Sequence, residues 1–179
     1  MKKRALPSRE ECHLHLSYNQ HTGEFFRNAR PCETYKTYGA ARRISARDAG
    51  KPAGTVTCAG YLSIYLVNTT YMAHRLAWHM AVGDIPEGMV IDHINGNRLD
   101  NRLCNLRVAT PTQNNQNHRP RKSKSGLKGV VWHGHAKAWQ ARIKINGKEK
   151  SLGLYKNKLL AYDAYVANAI QSFGEFARL

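Results

Sequence analysis

Acidic side chains are scarce in this chain of 179 residues: 12 Asp+Glu stand against 28 Lys+Arg, a formal charge of +16. That imbalance repels itself in a compact protein unless a polyanion neutralises it, so nucleic acid is the expected partner. Long apolar runs are lacking as well. No stretch approaches the roughly 18 apolar residues that read as a bilayer span, so no membrane-spanning helix is expected. The basic start MKKRALPSREE has no apolar core behind it, so no secretory signal is expected and the cytoplasm is the expected compartment. Cys12, Cys32, Cys58 and Cys104 never form a C-x-x-C pair. That spacing argues against a zinc ribbon, and a reducing cytosol argues against disulfides, so free thiols are expected. There is no internal repeat.

What is present falls into segments. Residues 1–70 form an N-terminal β-containing segment, with loops expected at Arg30–Pro31 and Gly50–Gly54. TVTCAGYLSIYLV (Thr55–Val67) is rich in β-branched and aromatic residues and is broken at Ala59–Gly60, which predicts two short strands in a hairpin. Met72–Val82 carries a helical stripe of Met72, Ala73, Leu76, His79 and Met80, stopped by Gly83.

Residues 71–118 hold the stretch richest in chemistry. Met89–Ile91 predicts a strand, Asn95–Gly96 a turn and Leu106–Ala109 a second strand. Thr110–Pro111–Thr112–Gln113 predicts a helix start, with Thr110 and Gln113 as a capping box and Pro111 at the first helical position. Pro120 ends that helix. RPRKSKSG then gives a basic linker over 119–126, and 127–179 predicts three antiparallel strands and a helix. Asn146–Gly147 is the hairpin turn, and Leu160, Ala164, Ala167 or Asn168, and Ile170 are the expected inner side of the helix Asn157–Ser172.

In VIDHINGNRLDNRLCNLRVATPTQNN, Asp92–His93 closes a strand, Asn105 follows Asp92 by 13 residues and Asn114 by 22. With the lead-in AHRLAW (Ala73–Trp78), this stretch resembles the HNH endonuclease family. The likeness is to the branch with Asn in place of the last His, common in phage and intron-encoded homing endonucleases. The resemblance implies a small ββα-metal nuclease core, acting in a bacterial or phage-infected cell. His93 is then the general base, because a neutral imidazole accepts a proton from water near pH 7. Asp92 and Asn114 supply oxygen ligands to one hard divalent ion, Mg²⁺ or Mn²⁺, with no small-molecule cofactor. The family's middle Asn supports the loop behind the catalytic His, which falls to Asn105. Adjacent strand residues point to opposite faces, so the strand is expected to end or bend at Asp92. His118 is a further metal ligand or a solvated side chain, and His74–Arg75 either approach phosphate or form an ordinary surface pair. Arg98, Arg102 and Arg107 are candidate phosphate contacts.

The last segment is similar to the Apetala/ethylene-response-factor type of DNA-binding domain. The matching residues are Lys128–Gly129–Val130, Trp132, Trp139–Ile143, Asn146–Gly147–Lys148, Leu152–Gly153, Ala161, Ala164–Tyr165 and Gly174. The resemblance implies a sheet laid in the DNA major groove, with Lys128, Trp132, Trp139, Arg142 and Lys144 on the DNA side. Val131 departs from the family, where an Arg is usual, and either Trp can instead be core. From Arg119 to Lys150 there are ten Lys+Arg and one acid, Glu149, an electrostatic footprint for a polyanion. SYNQHTGEFF (Ser17–Phe26) resembles a Y-x-x-x-T-G-x-F stretch of phage HNH proteins and is expected to pack or to position DNA.

The whole predicts an α+β chain that cuts double-stranded DNA, with target site and oligomeric state left open. A DNA-binding regulator with a non-functional nuclease core is the alternative. RNA is disfavoured, because the major groove of A-form RNA is too deep and narrow for a sheet.

Overall fold

The structure, a computed structural model, describes residues 5–29, 47–117 and 124–179. The Arg30–Pro31 loop, Cys32, His118, Pro120 and most of the 119–126 linker lie outside the described residues. Contacts divide the chain into Met1–Val108 and Ala109–Leu179. The division falls before the predicted helix at Thr110, not at the basic linker, so that helix groups with the C-terminal strands.

The first unit opens with α1 (Arg9–His15), where Ser8 accepts a hydrogen bond from the Glu11 amide as N-cap. β1 (Leu16–Tyr18) pairs antiparallel with β2 (Phe25–Arg27). β3 (Thr55–Val56), β4 (Leu62–Leu66) and β5 (Thr69–Met72) follow as an antiparallel meander. The hairpin broken near Gly60 is present, but β5 was not anticipated. Its turn is Val67–Asn68, both at positive φ (45° and 57°). That is the two-residue hairpin conformation normally marked by Asn-Gly, and a β-branched Val disguises it.

Met72 therefore belongs to β5 and is exposed, outside the stripe predicted for it. α2 (Ala73–Ala81) buries Ala73, His74, Leu76, Ala77, His79 and Met80. β6 (Val90–His93) and β7 (Leu106–Ala109) form a two-stranded sheet. Leu16, Phe25, Ile64, Leu66, Leu76, Met80, Ile91 and Leu106 share one core with Cys12. Burial pushes the Cys12 thiol up to about 11, so it stays protonated and unreactive. Cys12, Cys58 and Cys104 are free thiols.

The second unit begins with α3 (Pro111–Gln116), closed by the full capping box: the Thr110 hydroxyl accepts from Gln113 N, and Thr110 N donates to Gln113 Oε1. β8 (Val130–His133), β9 (Ala138–Ile145) and β10 (Lys148–Tyr155) form an antiparallel sheet with β9 central. Asn146 and Gly147 both have positive φ (49° and 80°), as a tight hairpin requires. α4 (Lys158–Phe173), N-capped by Asn157, packs on this sheet.

Its buried positions are Ala161, Tyr165 and Ala169, whereas Leu160 and Ile170 are exposed. The predicted inner side was thus one residue out of phase. A Cβ on Gly129 would lie 2.0 Å from the Tyr165 ring, so Tyr165 seats on a bare glycine and sets the phase, with Ala161 and Ala169 one turn to either side of it. The chain is a mixed α/β protein of several small sheets and few helices. Among the described residues no helix is long and apolar enough to cross a membrane.

Candidate active site

β6 ends in two buried polar residues, Asp92 (5 % exposed) and His93 (4 %). The strand runs through both, so the expected break at Asp92 is absent. Strand alternation sends them to opposite faces instead.

His93 faces a polar loop. Its Nε2 lies 3.3 Å from Oδ1 of Asn101, which is itself 1 % exposed. An amide oxygen can only accept, so this contact selects the tautomer protonated at Nε2 and leaves Nδ1 carrying the lone pair. Burial pulls the His93 imidazole below its ordinary range, opposed by the Asn101 hydrogen bond and by Asp92 and Asp100. The ring is accordingly neutral, the form a base must have.

Asn105 carries the loop behind His93. Its Oδ1 accepts from Asn95 N at 3.0 Å, its Nδ2 donates to Asp100 O at 2.8 Å, and its backbone oxygen accepts from Ile94 N at 2.8 Å. Arg102 braces the same loop through two bonds to Asp100 at 2.8 and 2.7 Å, holding that carboxyl down to about 2. Arg102 is thereby engaged within the loop.

On the other side of His93 sits His74 from α2, edge-on with ring centroids 5.0 Å apart, and Tyr61 at 6.1 Å. Arg98 stacks over Tyr61 at 4.7 Å and donates to Ala59 O at 2.8 Å. Burial, then His93 and Arg75, push His74 down to about 3, so it is a neutral wall to the site.

Asp92 faces Arg107 on β7. Nε and Nη2 of the guanidinium reach Oδ2 at 3.0 and 2.9 Å. Arg107 was expected on phosphate; its fork instead holds the Asp92 carboxylate, with a side chain only 11 % exposed.

Residues that sequence reasoning missed lie far away in the chain. Tyr18 Oη donates to Asn101 O at 2.7 Å, and Leu103 N donates to Gln20 O at 3.0 Å. Gly23, at φ +79°, approaches so closely that a Cβ would meet Arg102 N at 2.6 Å and Asn101 C at 2.7 Å. The Ser17–Phe26 stretch therefore clamps the backbone of the residue that orients His93. The only sequence signal for this was the Tyr, Thr-Gly and Phe spacing, whose purpose is invisible without the contact.

Asn114, half-buried on α3, belongs to the second unit. Among the described residues no three or more His, Cys, Asp or Glu cluster to hold a metal. A buried carboxylate and an amide oxygen are nonetheless hard donors. Donors of this kind suit a divalent cation that keeps waters and takes phosphate oxygens as further ligands.

In the C-terminal sheet the register separates residues expected on one surface. Trp132 pairs with Trp139, whose neighbour positions Ala141 and Ile143 are buried under α4. The rings meet edge-on at 5.1 Å, Trp139 against the core and Trp132 at 47 % exposure. Gln140, Arg142 and Lys144 occupy the opposite face, Arg142 donating to Glu149 at 2.7 Å. Lys128 lies on neither surface. Half-buried, it donates from Nζ to the carbonyls of Gln116 and Arg178, and burial pushes its ammonium down to about 8.

Comparison with known proteins points to the same stretch of the chain. The HNH endonuclease family model matches residues 71–116. Protein 3.8 of Escherichia phage T7 is 36 % identical over 107 residues, 59 % of this chain and 87 % of that protein. An uncharacterized HNH endonuclease of Acanthamoeba polyphaga mimivirus is 31 % identical over 105 residues, covering 58 % of this chain and 54 % of its own length. A solved structure of the HNH homing endonuclease I-HmuI aligns over 89 % of this chain and 85 % of its own, at 21 % identity and a TM-score of 0.41. With the matched model spanning both β6 and α3, the chain belongs to the HNH endonuclease family.

Proposed function

We propose that the chain hydrolyses phosphodiester bonds in duplex DNA, as a phage or mobile-element enzyme of the homing type, with His93 as general base. The observation that carries this is the contact between His93 Nε2 and Asn101 Oδ1 in a buried site. It directs a neutral, basic Nδ1, the arrangement that deprotonating a water requires. His93 takes that proton, the water oxygen forms the new bond to phosphorus, and the sugar oxygen leaves. Asp92 and Asn114 are the residues that would supply oxygen ligands to a divalent cation, Mg²⁺ or Mn²⁺, which when bound would neutralise charge on the phosphate and the departing oxygen. Arg107 keeps the Asp92 side chain in one rotamer. Asn105 keeps the loop that carries Asn101 in register.

The net charge of +16 supports a polyanionic substrate. The module at 127–179 is an Apetala/ethylene-response-factor-type DNA grip. This rests on its three-stranded sheet braced by one helix and on the basic, open face of Gln140, Arg142 and Lys144. Double-stranded DNA is then the partner, and cleavage and grip are carried by separate surfaces.

Incubation with supercoiled plasmid and Mg²⁺ tests the proposal. Nicked or linear product that disappears with chelator is expected. Tight binding without product under any divalent metal would identify a regulator with a silent nuclease core.

A further inference from the structure

α3 is only six residues long. Helices that short do not hold their position unaided, so the contacts at their ends decide where their side chains sit. The N-terminal end is closed by its own capping box. The C-terminal end is closed by two residues of the same unit, Lys128 early in it and Arg178 near its end. The Gln116 carbonyl accepts from Lys128 Nζ, and the Asn117 carbonyl accepts from Arg178 Nη1 at 3.3 Å. Lys128 also donates to the Arg178 carbonyl at 3.3 Å, so the two cations form one interlocked clasp. Each is rooted in the module. Lys128 precedes Gly129, which lies against the Tyr165 ring. Arg178 follows the buried Phe176 and Ala177, the latter packed on the Ile143–Tyr165–Ala169 cluster. Positive groups at the carbonyl end of a helix are favourably placed against its dipole.

We propose that Lys128 and Arg178 are positioning residues for Asn114: the C-terminal module sets the aim of a metal ligand, and is part of the nuclease as well as its grip. This rests on the reading of Asn114 as a ligand.

The test uses the full chain, with His93→Ala present throughout to prevent turnover, bound to a short duplex. Mn²⁺ is titrated in and the free-ion EPR signal is followed. Lys128→Met and Arg178→Met are each expected to weaken Mn²⁺ binding roughly tenfold or more, the scale on which supporting residues act. Lys128→Arg restores it. Added to Asn114→Ala, neither change weakens binding further, because both act through that side chain. Duplex affinity in chelator and its salt dependence stay at the parent level. Unchanged Mn²⁺ binding with a shallower salt dependence would make the two cations DNA contacts and overturn the proposal. If Asn114→Ala also leaves Mn²⁺ binding unchanged, the ligand reading fails and the inference with it. If Asn114→Ala weakens binding and the Met variants do not, only the positioning role is lost.

Discussion

Asp92 and Arg107 lie on paired strands, joined at 2.9 Å with side chains 5 % and 11 % exposed. Removing one partner strands a charge away from water. Arg107→Met is therefore expected to cost about 3–5 kcal/mol of stability. Asp92→Asn combined with Arg107→Met should recover much of that loss, because no lone charge remains. Thermal melting of the two single variants and the double decides it; a double variant no better than Arg107→Met would remove the pair from the account.

His93→Ala should lower plasmid nicking by a factor of about 10²–10⁴, the usual contribution of a positioned base. Duplex affinity should hardly change, because proton transfer matters only in the transition state. Turnover at the parent rate would exclude His93 as the base.

Asn101 reaches His93 directly, and Gly23 reaches Asn101. Asn101→Leu is expected to lower kcat with little effect on KM for DNA, since it removes the acceptor that fixes the tautomer. Gly23→Ala forces a Cβ onto backbone at 2.6 Å from a residue at φ +79°, so both kcat and Tm should fall. Steady-state kinetics beside melting curves check this; parent-like kinetics for Asn101→Leu would leave it a packing residue.

His74 gives an acid-side signature. Folded, it titrates near 3, against an ordinary 6.5. Between those values the unfolded chain binds the extra proton, so the contribution is complete above about pH 6.5 and is lost as pH falls toward 3. The limiting slope for one such group is about 1.4 kcal/mol per pH unit. His74→Phe keeps a ring in the wall and should flatten the slope of stability against pH in that window. An unaltered slope, from urea melts at several pH values, would show that another group is responsible.

On the open face of the C-terminal sheet, Arg142→Ala and Lys144→Ala should each reduce the salt slope of DNA binding by about 1. The effect at Arg142 should be the smaller, because Glu149 already pairs with it at 2.7 Å. Trp132→Ala, on the other face, should leave the slope alone. Binding isotherms across a salt series would reveal the reverse if the sheet were turned the other way.

What could be read from the sequence was local. Asp92, His93, Asn105 and Asn114 are chemical types at fixed short separations, and the capping box at Thr110–Gln113 is a pattern within one turn. Alternation in β9 likewise placed Arg142 and Lys144 together. What escaped depended on size or distance. The stripe of α4 is out of phase because nothing within the helix reports that Gly129 leaves room for the Tyr165 ring. β5 was hidden by a Val at positive φ. The partnership of Tyr18 with Asn101 spans 83 positions, and no periodicity reports a contact of that range. Arg107, a phosphate candidate by its charge beside the motif, and Lys128, on the DNA side by family resemblance, each have an internal partner.

The placement of α3 with the C-terminal strands bears on how hybrids of this protein should be made. If residues 127–179 are the proposed DNA grip, the basic stretch at 119–126 is the obvious seam for exchanging one such cassette for another. A graft joined there would keep the helix of one parent and replace Lys128 and Arg178 with the residues of another, leaving the helix without its matched clasp. A junction just before Thr110 transfers the capping box, the helix and the clasp together. Exchanges at the later seam should then give chimeras that still find DNA but need more metal to cut it, whereas the earlier seam moves an intact functional half.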